Sequence, residues 1–93
     1  MPALDRVRAA YQGATGHWRG TGACGRDAQL AEHHAWIALQ LAEGGDLLQA
    51  LEHATMASDL ERRYGEDVTW GPLVEALIRA LEQADGTAAT RRP

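Results

Sequence analysis

The sequence predicts an all-α protein, either a small antiparallel helical bundle or a helical array, with three to four helices. Apolar residues recur at spacings of three and four in four separate stretches, which is the period of an amphipathic helix. Glycine-containing segments separate these stretches, and no stretch alternates apolar and polar residues as a strand does. At 93 residues the chain has room for one helical domain, residues 1–93.

The first helix is predicted over residues 3–12, where Leu4, Val7 and Tyr11 form one apolar stripe. The next segment, residues 13–25, contains five glycines. Because a glycine inside a helix costs about 1 kcal/mol relative to alanine, we expect this segment to be a glycine-rich loop.

The second helix, predicted over residues 27–43, has the clearest helical pattern in the chain. Asp27 is placed to cap its first amides, and Gly44 with Gly45 is placed to end it. The face expected to pack into the core comprises Leu30, His34, Ile37, Ala38 and Leu41.

The third helix is predicted over residues 47–64, and Gly65 is placed to stop it. Asp46 precedes its first residue, and Gln49 lies three positions further on, which is a spacing similar to that of a capping box. Its apolar positions are Leu47, Ala50, Leu51, Ala54, Ala57 and Tyr64, with Leu60 at the border of the stripe.

The fourth helix is predicted over residues 72–84, where Pro72 suits a first helical turn and Gly86 suits an end. Its stripe is the most apolar in the chain and comprises Leu73, Val74, Leu77, Ile78 and Leu81. Residues 87–93 are expected to form a frayed tail.

Residues 28–62 combine two predicted helices with small residues at the positions where the helices would cross. The small positions are Ala38, the Gly45-Asp46 turn, Ala50 and Ala57, and the larger apolar positions are Ile37, Leu41 and Leu51. Small side chains let two helix backbones approach, while larger ones fill the flanking grooves. In this pattern the segment resembles a tetratricopeptide-repeat hairpin, which implies two antiparallel helices that stack on further helices.

The segment also departs from the tetratricopeptide pattern. His34 stands where a bulky apolar residue is usual, Ala54 replaces a usual aromatic residue, and the proline that usually ends the second helix is missing. Only one full unit is visible, and the fourth helix echoes the spacing of its first half. Because such arrays need about three repeats for stability, the resemblance implies a short array, a compact bundle or an oligomer.

Composition restricts the classes of partner. The net charge is −4 and the pI is about 5.4, which argues against nucleic acid as a partner because phosphate binding needs a basic face. The sequence contains no run of 18 apolar residues that could span a membrane. Residues 1–10 lack the apolar core of a secretory signal. We therefore expect a cytoplasmic protein. Cys24 is the single cysteine, which excludes an intramolecular disulfide. No cofactor is predicted.

Residues 20–25 read GTGACG and match the glycine pattern of a dinucleotide-binding turn. That function requires a preceding strand and a βαβ unit, and the sequence predicts neither. The segment is therefore interpreted as a connector. Arg19 and Arg26 flank it near the start of a helix, which leaves a simple anion site as the alternative.

The three tryptophans are the best indication of function in this phenylalanine-free chain. Trp18, Trp36 and Trp70 either cover a thin alanine-rich core or anchor a partner, since tryptophan is enriched at interface hot spots. The sequence favours a protein–protein interaction or self-assembly module that holds a basic or amphipathic segment in a helical groove. The expected partner is another protein or a second copy of this chain, which would make a homo-oligomer. The candidate partner-binding residues are Trp36, Glu32, Glu43 and Trp70.

The alternative is a small metal- or ligand-binding helical protein. Neutral imidazole is a common metal ligand, and an antiparallel pairing of the second and third helices places His53 within a turn of His34 or His33. Within either helix, however, the histidines lack the i, i+4 spacing that puts two ligands on one face. No carboxylate pair, catalytic triad or phosphate loop stands in a supporting context, so the sequence favours a binding protein over an enzyme and predicts no catalytic residue.

Overall fold

A computed structural model describes residues 2–20, 25–63 and 69–90, with side chains described for 3–18, 25–63 and 69–84. In the described ranges the chain forms helices and no strand, which confirms the predicted all-α class. The helices are α1 (Pro2–Gly20), α2 (Arg26–Glu43), α3 (Leu47–Arg62) and α4 (Gly71–Thr90). None of these helices, within the described residues, has the length and apolar character needed to cross a membrane.

The helices pack as a closed antiparallel bundle. α2 and α3 form the most extensive pair, α1 contacts α2 and α4, and α3 also contacts α4. At one end of the bundle, a single cavity is lined by Ala3 of α1, Ala42 of α2, Leu47 of α3 and Ala84 of α4. The start of α1 therefore lies beside the end of α2, and consecutive helices run in opposite directions.

Each helix turns a seam of residues spaced alternately three and four apart toward the bundle axis. This is the spacing of coiled-coil core positions, and it explains the alignment of the helices. The seams are Leu4, Val7, Tyr11, Ala14 and Trp18 in α1; Ala28, Ala31, Ala35, Ala38 and Ala42 in α2; Leu47, Ala50, Ala54, Ala57 and Glu61 in α3; and Trp70, Leu73, Leu77 and Ala80 at α4. All of these are buried except Leu4, Tyr11 and Leu47, which are half-buried.

The seam of α2 is built entirely from alanine and that of α3 has alanine at its three central positions, whereas the seams of α1 and α4 carry most of the large side chains. Alanine lets the two backbones of the α2–α3 hairpin approach closely. The larger side chains of α1 and α4, such as Leu73, Leu77 and Trp70, then supply most of the volume of the core.

The core face predicted for α2 was wrong. The observed core residues from Ala31 to Ala42 each follow a predicted one by one position, which is a rotation of about 100° around the helix axis. Only Ala38 of the predicted set lies on the seam, whereas His34, Ile37 and Leu41 are half-buried beside it and Leu30 is exposed. The leucines dominate the sequence pattern because each is more hydrophobic than alanine. The seam nevertheless belongs to the alanines, because close helix approach requires small side chains.

The prediction of a glycine-rich loop over residues 13–25 was also wrong for residues 13–20, which are helical. α1 continues through Gly20 and buries Ala14 and Trp18 on the same seam. Burial of a large aromatic side chain is worth about 1.5–3 kcal/mol or more, which offsets the glycine cost of about 1 kcal/mol per residue. The element before GTGACG is therefore a helix and not the strand of a dinucleotide-binding turn. Residues 21–24 of that motif, including Cys24, lie outside the described residues.

The turn between α2 and α3 follows the prediction closely. Gly45 adopts a left-handed φ of 92°, and the Asp46 amide donates to the Leu41 carbonyl at 2.9 Å while the Gly45 amide donates to the Ala42 carbonyl at 3.0 Å. This pair of bonds defines a Schellman motif. Asp46 then caps α3, because its Oδ1 accepts from the Gln49 amide at 3.2 Å.

Two other helix ends differ from the prediction. Asp27 is not the N-cap of α2, because the helix begins at Arg26 after Gly25, whose φ is 96°. Asp27 instead lies inside the first turn, with its Oδ2 3.5 Å from Nη1 of Arg63. α4 continues to Thr90, well into the segment predicted as a frayed tail. Residues 64–68 and 91–93, which include Tyr64 and Gly65, lie outside the described residues.

Candidate partner-binding surface and histidine pair

The three tryptophans fall into two environments. Trp18 and Trp70 are 8% and 0% exposed, and their ring centroids lie 5.5 Å apart at an interplanar angle of 55°. This tilted pair joins the end of α1 to the start of α4. Trp70 was predicted as a partner-binding residue, but a partner cannot reach it without opening the bundle. Trp36, by contrast, is 51% exposed.

Trp36 lies in a surface groove between α1 and α2. The groove has a volume of about 360 Å³ and is lined by Tyr11, Gln29, Glu32, His33 and Trp36. The structure thus brings together two of the predicted partner-binding residues, Trp36 and the half-buried Glu32. We call this feature the Trp36 groove.

Glu43, another predicted partner-binding residue, lies further along the α1–α2 edge. Its Oε2 accepts from Nε of Arg8 at 2.9 Å, and Nη1 of Arg8 also lies 3.4 Å from Oδ1 of Asp5. Glu43 therefore helps to tie α1 to α2. An exposed pair of this kind contributes roughly 0–1 kcal/mol to stability.

The second candidate site is a pair of half-buried histidines on α2 and α3. The Nδ1 atoms of His34 and His53 lie 3.0 Å apart. The ring centroids are 5.2 Å apart at an interplanar angle of 29°, so the rings meet end to end through these nitrogens. The antiparallel pairing predicted from the sequence placed His53 near His34, and the structure has them in contact. His33 is exposed and faces the Trp36 groove, although its ring centroid is 6.2 Å from that of His34.

Burial lowers the pKa of His34 below its ordinary value, and the nearby imidazoles of His53 and His33 lower it further. The lowered pKa favours the neutral form of His34. A neutral imidazole has one N–H and one nitrogen lone pair, so one ring of the pair can donate Nδ1–H to the Nδ1 of the other. Within the described ranges, no group of three or more histidine, cysteine or carboxylate residues is arranged to hold a metal ion.

Glu61 is a buried polar residue that sequence reasoning did not identify. Its carboxylate accepts hydrogen bonds from the Thr69 amide at 3.1 and 3.2 Å and from the Trp70 amide at 3.1 Å. These amides precede α4, whose N-terminus carries partial positive charge. The only sequence signal is its heptad position, where a charged residue is unexpected. The arrangement is structural, because it fixes the start of α4 against α3.

Comparisons with protein-family models, curated proteins and solved structures find no match to this chain. The site must therefore be interpreted from its own geometry. That geometry offers an exposed aromatic side chain in a groove and a close pair of imidazole nitrogens.

Proposed function

We propose that this protein is a protein–protein interaction module that binds a basic amphipathic segment of a partner in the Trp36 groove. The observation that carries the proposal is the exposure of Trp36, at 51%, in a chain whose other two tryptophans are buried against each other. Interface hot spots favour tryptophan, because one side chain buries a large apolar area on binding.

The shape of the groove supports a helical or extended segment as the ligand. Tyr11 from α1 and Trp36 from α2 provide an apolar surface between two antiparallel helices. A partner helix can place apolar residues at i, i+3 or i+4 into such a groove. We further propose that the hairpin α2–α3 is a single tetratricopeptide-like unit, with α1 covering the other side of α2.

The charge of this edge supports a basic segment. Glu32 lies in the groove, while Glu43 and Asp5 further along the edge share Arg8. The whole chain carries a net charge of −4. Complementary charge mainly raises the association rate and disfavours acidic partners.

The proposal is tested with two synthetic 18-residue amphipathic peptides that share the same leucine positions, one with lysine and one with glutamate on the polar face. We expect the lysine peptide to bind and to shift the tryptophan emission to shorter wavelength, because Trp36 becomes buried. We expect the Trp36→Ala variant to lose at least about tenfold in affinity, the effect of a hot-spot residue. Fluorescence of a dye on the peptide measures binding for every variant.

Leu48→Ala is the matched control, because Leu48 is 67% exposed but lies at the start of α3, outside the groove. We expect this variant to bind the lysine peptide as the wild type does. Equal affinity in Trp36→Ala and the wild type contradicts the proposal, as does tight binding of the glutamate peptide. If light scattering detects a dimer of the wild type that is absent in Trp36→Ala, the groove binds a second copy of this chain and not a different partner.

A further inference from the structure

The His34–His53 pair has a separation that suits a metal ion. A ligand nitrogen lies about 2.0–2.1 Å from Zn²⁺, so two nitrogens bound to one ion lie roughly 2.9 Å apart at a right angle and roughly 3.3 Å apart at the tetrahedral angle. The observed Nδ1–Nδ1 distance of 3.0 Å falls in this range. Without an ion the same distance accommodates a single hydrogen bond, and the centroid separation of 5.2 Å shows that the two Nδ1 atoms point toward each other. Binding of an ion therefore requires each ring to tilt toward it.

We propose that His34 and His53 chelate one divalent transition-metal ion of the zinc or copper type through their Nδ1 atoms, which links α2 to α3. Imidazole nitrogen suits these ions, whereas Mg²⁺ and Ca²⁺ prefer oxygen ligands. Both residues are half-buried, so each remains partly exposed to solvent. Water completes the coordination, because no third protein ligand accompanies the pair within the described residues.

This site is independent of the proposed partner binding. Successive residues of an α-helix are separated by about 100°, so Trp36, two positions after His34, lies about 200° around α2. The Trp36 groove faces α1, whereas the histidine pair faces α3. One site can therefore be removed without removing the other.

The test is isothermal titration of the untagged protein with Zn²⁺, followed by electron paramagnetic resonance with Cu²⁺. We expect one ion per chain and a copper spectrum with two nitrogen ligands. Loss of a residue that only hydrogen-bonds to a metal ligand commonly weakens metal binding by about 10–100-fold. Loss of a ligand itself should weaken it at least as much, so we expect His34→Gln and His53→Gln each to weaken Zn²⁺ binding by at least about tenfold. Zn²⁺ should also raise the Tm of the wild type but not of the double variant.

His33→Gln and His17→Gln are the matched controls, because both histidines are exposed. We expect both controls to bind Zn²⁺ as the wild type does. The proposal is overturned if Zn²⁺ binding survives in His34→Gln or His53→Gln, or if the wild type binds no more Zn²⁺ than the double variant. A ratio of one ion to two chains, together with a doubled mass in light scattering, would show that a second chain and not water completes the coordination. That result also overturns the proposal.

Discussion

Glu61 occupies the last seam position of α3, where the other seam residues of that helix are apolar. A buried carboxylate is costly unless hydrogen bonds replace its water. Here the amides of Thr69 and Trp70 do so, and both lie at the positive end of α4. Glu61 therefore acts as a cap supplied by a different helix, and it positions Trp70 against Trp18.

We expect Glu61→Ala to destabilise the fold by roughly 2–4 kcal/mol, because two buried amides lose a charged acceptor. Urea denaturation measures the change. Glu75→Ala is the control, since Glu75 forms an exposed pair with Arg79 at 3.0 Å and its loss should cost only about 0.5 kcal/mol. Equal destabilisation by the two substitutions contradicts the role of Glu61.

The helix caps show which residue-level features a sequence reveals. Asp46 was predicted correctly because its acceptor and donor lie three residues apart in the chain. Glu61 could not be predicted, because its donors belong to another helix and their proximity depends on the tertiary fold. Asp27 has the right residue type for a cap, but α2 begins one residue earlier and its carboxylate meets Arg63 of α3.

At the scale of the element, α1 shows tertiary packing overriding local propensity. Gly13 and Gly16 lie within a helix that continues because Ala14 and Trp18 are buried. A Cβ added at either glycine meets no atom within 4 Å apart from its chain neighbours and the adjacent backbone of its own helix. Either position can therefore accommodate an alanine side chain without displacing a neighbouring helix.

We expect Gly13→Ala and Gly16→Ala each to stabilise the protein by about 0.5–1 kcal/mol, because alanine loses less backbone entropy in a helix. Gly45→Ala is the opposing control. Its φ of 92° disfavours a side chain, and the substitution should cost about 1–2 kcal/mol. Thermal unfolding followed by circular dichroism compares the three variants. A lower Tm for both α1 variants would show that this segment is not helical.

The sequence pattern identified α2 as a helix but did not identify which of its faces packs into the core. The periodicity of three and four identified the helix, but leucine and isoleucine drew the predicted face away from the alanines. The misplaced face is also where the histidine pair lies. His34 was treated as a core position, and it in fact borders the seam beside His53. A pattern of alanines spaced three and four apart, from Ala28 to Ala42, is the signal that identifies this seam.

At the scale of the whole molecule, the bundle divides into a pair of alanine seams and a pair of seams with larger side chains. The all-α class and the α2–α3 hairpin could be predicted, because the apolar period and the Gly44-Gly45 turn are local signals. The contact of α1 with α4 could not, since it joins the two ends of the chain. Trp18 and Trp70 meet only as a result of that closure.

The alanine seams predict that a larger side chain at a buried seam position destabilises the protein. Ala38 is fully buried in α2, the helix most extensively packed on α3. Leucine at this position inserts three further carbon atoms between closely spaced backbones, and overpacking of this kind costs about 1–3 kcal/mol. We expect Ala38→Leu to lower the urea midpoint accordingly. Ala9→Leu, at an exposed position of α1, should change stability by less than about 0.5 kcal/mol.

The same comparison distinguishes close α2–α3 packing from a loosely packed bundle. A loose bundle would gain stability from Ala38→Leu, because the added side chain would bury apolar surface without displacing α3. Close packing predicts the opposite sign. Because Ala38 lies two residues beyond Trp36 and four beyond His34, a displaced α2 should also widen the His34–His53 separation. Zn²⁺ titration of Ala38→Leu should then show weaker binding than titration of Ala9→Leu.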